Sequence, residues 1–581
     1  MNIKFISALW LFICFLIYVA GCRSPSQLPS PDSDNGGLFI PDGFEALVVA
    51  DSVGRARHLA INGNGDIYIK LSSSDTIRGG IVALRDNNGD GRMDIRQRFG
   101  GVPSGHKFYG NTMTIHKGYL YYSSALVLYR QKLTPESLVP SSPQEEVLVD
   151  DHAHGVHWHI TKPVAFDDNG YMYVPFGAPS NACQSLDASP NGAPGGNGID
   201  PCPELELHGG IWRFEADKIG LRQEDGYKFA TGIRSVVGMD WHPEDNHLYI
   251  MMHGRDNLHS LFPDRFSAWQ SAMLPAEELI RISENANYGW PYCFYDQIQE
   301  KLVLAPEYGG DGNITERCEG MDLPEFGFPG HWAPNDILFY RGNQFPERYK
   351  YGAFIAFHGS TNRGPYPQAG YFVAFLPFAN GRATGQWEVF ADGFTGKDTV
   401  EKTSDAVYRP MGIAEGPDGT LYITESNRGK VWRVMYGGKR SHFNLDQLIA
   451  MESRKSFSHI RTPDIIEDNL QKNLTQSERL YNTFCGTCHQ TDGKGVTGYF
   501  PPLTETKWVL GDKDRLIDVV LNGMNNVVEV NGESYNGAMP AFNFLSDDEL
   551  ALILTYVRQN FGNNASVVIE KDIRSARQNN L

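Results

Sequence analysis

Cysteine is scarce in this chain, with 8 among 581 residues, and none follows Cys488. Basic residues are outnumbered, 51 Lys and Arg against 69 Asp and Glu, a formal charge of −18. That balance argues against a nucleic-acid partner. It is read mainly as solubility and leaves room for a small basic protein partner. The apolar run from Ala8 to Ala20 is too short for a comfortable membrane span. No long amphipathic helical pattern interrupts the middle of the chain, which leans toward turn-rich β structure through 61 Gly, 27 Tyr and 32 Phe. A chain of this length is expected to hold two or three domains.

The first residues, "MNIKFISALWLFICFLIYVAGC", place Lys4 before the apolar run and small residues after it, the pattern of an export signal over 1–21. "VAGC" resembles a bacterial lipobox, which marks Cys22 for lipidation, with a plain cleaved signal as the alternative. Residues 22–36, rich in Pro, Ser, Asp and Gly, read as a flexible tether. The expected location is outside the cytoplasm, lipid-anchored to a bacterial membrane and facing the periplasm or the exterior. Such a compartment permits disulfides. Sequence proximity makes Cys183–Cys202 and Cys293–Cys318 the simplest pairing, although spacing alone does not settle the connectivity.

Six stretches share one grammar: "HLAINGNGDIYI" from His58, "NTMTIHKGYLYY" from Asn111, "PVAFDDNGYMYV" from Pro163, "VGMDWHPEDNHLYI" from Val237, a looser "YGAFIAF" from Tyr351 and "PMGIAEGPDGTLYI" from Pro410. Most run as an alternating apolar strand, a Gly, Asn, Asp or Pro turn, and a second strand carrying an aromatic, which is a β-hairpin signature. The aromatics Tyr68, Tyr121, Tyr173, Tyr249, Phe354 and Tyr422 recur on average about every 71 residues, and repeats of this size with several strands read as propeller blades. The expectation is an all-β six-bladed propeller over 37–440, with seven blades as the structural alternative. Its polar residues concentrate in "DDHAHGVHWHITKPVAF", "HGSTNRG" and "YRPMGIAEGPDG".

At these residues a likeness emerges. "HITKPVAFDDNGYMYVPFGAPSNAC", "ATGIRSVVGMDWHP", "HGRDN", "ANYGWPYC", "HGSTNRG…GYFVAFLPF" and "YRPMGIAEGPDGTLYITESNRGKVWRV" together resemble the sorbosone/glucose (aldose sugar) dehydrogenase family, over most of 40–437. The resemblance implies a propeller holding pyrroloquinoline quinone (PQQ) and calcium and oxidising a sugar or related polyol or aldehyde. It implies His159 as the catalytic base, a role suited to imidazole. It also implies Arg234, Arg363 and Arg409 around the cofactor's carboxylates, and calcium on the backbone carbonyls of Gly254 and Arg255. Two positions depart from the family: Ser235 follows Arg234 where the family has Asn, and Thr361 stands where it has Trp. Alone, the cluster His152, His154, His157 and His159 also suits zinc or copper. "DNNGDGRMD", with Asp86, Asn88, Asp90 and Asp94, reads equally as a calcium loop or a turn.

Near the other end, "YNTFCGTCHQTDGKG" carries Cys485, Cys488 and His489 in the Cys-x-x-Cys-His attachment pattern of haem c. A zinc knuckle would need a second ligand pair, and a thioredoxin-like pair would need a βαβ context; both are missing. The two thiols attach the haem, His489 is the expected axial ligand of the iron, and Met539 in "GAMPAF" is the expected second. The Met-Pro about fifty residues on resembles class I cytochrome c, an all-α domain expected over 476–563. Pro501 or Pro502 is expected to hold the His489 ring through a backbone carbonyl. Residues 441–475 read as a linker of undecided placement, and 564–581 as a poorly ordered tail.

Together these readings point to a quinoprotein dehydrogenase that passes electrons to haem c and on to an external acceptor, either a cytochrome or a membrane carrier. The alternative is a propeller that only binds a ligand, joined to an electron-relay cytochrome.

Overall fold

Alternation of apolar and polar residues on either side of tight turns folds most of the chain into antiparallel hairpins. The computed structural model describes residues 28–72, 80–100, 113–150, 159–184, 192–463 and 476–579. Cys22 and the histidines at 152, 154 and 157 fall outside these ranges.

Six sheets form the blades of a propeller. Blade 1 comprises Ala56–Ile61, Ile67–Leu71, Gly80–Arg85 and Ile95–Phe99. Blade 2 runs from Met113–His116 to Glu145–Val149 and gains a short parallel strand, Leu221–Arg222. Blade 3 runs from Ala165–Phe166 to Tyr227–Thr231, blade 4 from Val236–His242 to Phe326–Phe328, and blade 5 from Pro334–Phe339 to Glu388–Ala391. Blade 6 contains Pro410–Glu415, Leu421–Glu425 and Val431–Tyr436, and its fourth strand is Phe44–Ala50 from the start of the domain. The pairing of Phe44 with Tyr436 closes the ring by joining the two ends of the domain in one sheet.

The repeated aromatics lie on second strands and are buried; Tyr68, Tyr249 and Phe354 are wholly inaccessible. Phe44 locks the closing strand by edge-on contacts with Phe345, Tyr349 and Phe390 at 4.8–5.3 Å. The inner strands of blades 1, 4, 5 and 6 each begin with a β-bulge. A bulge re-aims side chains, and all four lie at the same end of the ring.

The polar segment after blade 6 lies against blade 5 as far as Pro463. Met451 and Ile460 enter the core beside Phe357 and Val389, and buried Asp392 accepts from His459 at 3.0 Å and from Arg454 at 2.5 Å.

The second domain is helical. Helices Gln476–Phe484, Lys513–Asn522 and Asp547–Gln559 bury Phe484, Leu516, Ile517, Leu550, Ile553 and Leu554 in one core. The Glu549 carboxylate accepts the Ser546 backbone N–H at 2.9 Å and caps the last of these helices. The residues after Asn563 are not the loose tail that their polarity suggests. Helix Glu570–Asn579 inserts Ile573 into the same core and is fastened by Lys513–Asp572 and Arg577–Asp547 contacts at 2.5 and 2.9 Å. One apolar face among polar residues was enough to dock it. Among the described residues no helix is long and apolar enough to cross a membrane.

Candidate functional site

At the bulged end of the propeller, residues before or within the inner strands meet those following the second strands. The His159 Nδ1–H donates to the Ala178 carbonyl at 2.6 Å, leaving Nε2 as a free lone pair. The approach is close: a β-carbon on Gly177 would stand 2.2 Å from the His159 carbonyl oxygen, so only glycine fits there. Burial, and then the charge of Arg234, push the imidazole down to about 3, so it is neutral at physiological pH. The next residues anchor this histidine. The Thr161 hydroxyl donates to the Val236 carbonyl at 2.5 Å, and buried Lys162 pairs with Asp150 at 3.0 Å.

Arg234 is 3% exposed. It donates to the Gly254 carbonyl at 2.8 Å, to the Asn181 side chain at 2.9 Å and to Asp256 at 2.9 Å. Burial works to raise the Asp256 carboxyl, but the charge of Arg234 and a hydrogen bond from His331 outweigh it and hold the group well below the usual carboxylate range. Arg409 donates to the His358 and Gly359 carbonyls at 3.0 and 2.6 Å and faces the His358 ring at 2.8 Å. These acceptors are neutral, and the guanidinium lies below its ordinary value through burial. Arg57, in the blade 1 bulge, is likewise lowered by burial, to about 10, and lies within electrostatic reach of Arg409.

Arg363 shares buried Tyr371 with Arg409, both guanidiniums acting on its phenol. The Arg363 guanidinium is 1% exposed against Met273 Sδ at 3.9 Å, and its Nε and Nη1 atoms find no partner among the described residues. The preceding residue, Asn362, donates to Asp256.

The calcium expectation also meets a different arrangement. The Gly254 carbonyl already accepts from Arg234, and the Arg255 side chain turns away to pair with buried Glu307. A cation held by these carbonyls would face a guanidinium, so the geometry does not fit one there. In "DNNGDGRMD" the side-chain oxygens bind backbone amides: Asp86 accepts from Gly89 and Gly91 at 2.7 and 2.8 Å, and Asp94 from Asn87 at 2.7 Å. The segment is a turn.

Sequence reasoning missed Arg57, Asp256, His253 and His331. Asp256 lies in the quoted "HGRDN" and was within reach. Arg57 sits inside a bulge, which strand alternation does not register.

In the helical domain Cys485, Cys488, His489 and Met539 line one cavity of about 1310 Å³ including its open side. The His489 Nδ1–H donates to the Pro501 carbonyl at 2.8 Å, which leaves Nε2 uncommitted among the described residues. Met539 is held by paired backbone hydrogen bonds with Met524 at 2.8 and 2.9 Å. Burial pushes both thiols up to about 12, opposite to what a reactive redox pair needs. The cavity wall is completed by propeller residues Gly192, Pro194, Asn257, Ser260 and Leu261.

Two disulfides brace the propeller side, Cys183–Cys202 and Cys293–Cys318. The first lies two residues from Asn181, whose backbone carbonyl accepts from Arg234 and from the Trp290 indole at 3.2 and 3.0 Å.

Fold and site define a six-bladed propeller joined to a c-type cytochrome domain. The chain belongs to the TrAA12-like family, which matches residues 38–437. Residues 472–557 match the family of the cbb3-type cytochrome c oxidase subunit III. An uncharacterized protein of Borreliella burgdorferi is 29% identical over 220 residues, covering 38% of this chain and 51% of that one. Cytochrome c-552 of Thermus thermophilus is 38% identical over 87 residues, covering 14% of this chain and 66% of that one. This chain therefore spans less than two thirds of either relative's length. The holo pyranose dehydrogenase PQQ domain from Coprinopsis cinerea superposes with a TM-score of 0.53 at 15% identity, over 68% of this chain and 97% of that one. At that identity the likeness is one of fold.

Proposed function

We propose that the protein is an exported quinoprotein dehydrogenase, lipid-anchored through Cys22, that oxidises a sugar or related polyol or aldehyde and delivers the electrons to its own haem c and then to an external acceptor. The observation that carries this reading is the guanidinium of Arg409, which meets no carboxylate among the described residues. Arg57 and Arg409 act on one another and on His358, Arg234 acts on His159, and His253 lies within electrostatic reach of both histidines. Arg409, in particular, is answered only by neutral acceptors. A half-buried guanidinium without a counter-anion favours an anionic ligand, and a tricarboxylate such as PQQ meets that demand.

When bound, PQQ supplies a two-electron acceptor for the carbon that loses hydride, and haem c supplies a one-electron relay. Arg234 and Arg409 hold the carboxylates, with Arg57 beside them. His159 accepts the hydroxyl proton at Nε2, an atom kept free because Nδ1 is committed to Ala178. Asp256 keeps Arg234 oriented and, being anionic, steadies His159 once it is protonated. The similarity to a pyranose dehydrogenase PQQ domain and to cytochrome c-552 supports this division of labour.

The test is reconstitution of the haem-loaded protein with PQQ and a panel of aldoses, polyols and aldehydes, followed by haem absorbance. Substrate-dependent haem reduction is expected. If PQQ binds and nothing in the panel reduces the haem, the reading fails and a ligand-binding propeller with a relay cytochrome takes its place.

A further inference from the structure

The helical domain lies across the mouth of the propeller channel. Its contacts come from loops around the axis. Helix Leu258–Leu261, after blade 4's second strand, packs against helix Gln476–Phe484. After blade 5's second strand, a β-carbon on Gly364 would stand 3.7 Å from the Gly486 carbonyl oxygen. Leading into blade 6, Lys402 pairs with Asp492 at 3.6 Å. On the blade 6 and blade 1 side, Tyr499 comes within electrostatic reach of Arg409 and Arg57.

Tyr499 is presented on a tight turn, Val496–Phe500, closed by the Tyr499 and Phe500 N–H groups donating to the Val496 carbonyl at 2.9 Å. Its side chain is 56% exposed and lies within electrostatic reach of the half-buried Arg57 and Arg409. Its hydroxyl makes no hydrogen bond among the described residues, while its backbone is pinned by Gly537 at 3.0 Å. An aromatic ring with an uncommitted hydroxyl, rigidly held above a charged polar floor, suits a sugar, whose C–H faces pack on rings and whose hydroxyls need partners.

We propose that Tyr499, supplied by the cytochrome domain, is a substrate-contacting residue that forms the roof of the propeller's sugar site. The proposal rests on the sugar-oxidising reading above and adds that the site is shared between the two domains. It also explains why the turn at 496–500 carries an exposed aromatic beside the haem cavity.

The experiment uses the full haem-loaded chain in two arms. In the first, carbodiimide treatment followed by mass spectrometry is expected to yield a Lys402–Asp492 cross-link. Failure to recover it overturns the roof geometry, and with it the proposal, whatever the activity. In the second, Tyr499→Ala and Tyr499→Phe are compared with wild type, with PQQ affinity measured by calorimetry, haem potential by titration and sugar-dependent haem reduction by absorbance. Tyr499→Ala is expected to raise KM about tenfold with kcat changed less than about twofold, and Tyr499→Phe to raise it about threefold, with PQQ affinity and haem potential unmoved. An unchanged KM in Tyr499→Ala overturns the proposal and spares the dehydrogenase reading. A wild-type protein that binds PQQ and oxidises no sugar overturns both, even if the cross-link forms.

Discussion

Arg234, just before blade 4's inner strand, is joined at 2.9 Å to Asp256, in the loop that leads from that blade's second strand to the wall of the haem cavity. Arg234 faces His159 on one side, and Asp256 lies within electrostatic reach of Cys488 on the other. A single ion pair thus stands between the proposed oxidation site and the haem attachment site, and its chemistry can be tested from both directions.

Asp256→Asn removes a carboxylate whose folded value is depressed. Such a group stabilises the fold above its unfolded value near 3.9, and the stabilisation is lost as pH falls toward the folded value. The variant is expected to be about 2 kcal/mol less stable at pH 7, with the difference shrinking below about pH 4. Urea unfolding across this range checks it. Equal stability at pH 7 would show that the pair contributes nothing.

His159 changes stability in the same direction with pH, over a higher window. Its folded value, about 3, lies below the unfolded one, so between about pH 6.5 and 3 the unfolded chain binds a proton that the folded chain does not, and stability falls as pH falls. In the free protein its imidazole resonances are expected not to titrate between about pH 8 and 4, a window set by the same shift. His159→Gln is expected to lessen the acid loss of stability, to leave the haem spectrum intact and to cut sugar-dependent haem reduction at least about a hundredfold. Retained turnover would remove His159 from the chemistry.

Cys485→Ala with Cys488→Ala is expected to yield protein with no haem retained after acid–acetone extraction, while circular dichroism keeps the propeller's strand signal. Met539→His is expected to keep covalent haem and lower its midpoint potential, because a thioether ligand raises it relative to imidazole. Potentiometric titration reads the second, and an unchanged potential would mean that Met539 does not ligate the iron.

The Cys183–Cys202 bridge closes a 19-residue span beside Asn181. Replacing both cysteines by serine is expected to cost about 3 kcal/mol. It should also weaken PQQ binding, because the Asn181 loop holds Arg234 in place. The equivalent change at Cys293 and Cys318 is expected to cost similar stability with a smaller effect on PQQ. Calorimetric affinities for the two variants decide between a local and a general role for the first bridge.

Much of this architecture was legible because it is written in short-range patterns. The turn residues and the aromatic on each second strand set the six blades, and Cys-x-x-Cys-His with Met539 set the haem cavity. What stayed hidden depends on geometry that strings of residues do not carry. A bulge aims Arg57 into the site, Asn362 reaches Asp256, and the Gly254 carbonyl is already engaged by Arg234. Helix Glu570–Asn579 was missed because Ile573 buries a single side chain in a polar stretch, too weak a period to distinguish from a tail. Nor does either domain's sequence announce that the cytochrome covers the channel.

The central claim is that the oxidation site and the haem serve one another within a single chain. Stopped-flow absorbance of the PQQ-loaded, haem-loaded protein mixed with a sugar it oxidises tests this most directly. The account predicts haem reduction at a first-order rate that stays constant as protein concentration is varied about a hundredfold, because the effective concentration of a tethered partner does not change on dilution. A rate that rises in proportion to protein concentration, or haem that stays oxidised while sugar is consumed with an added dye as acceptor, would contradict it.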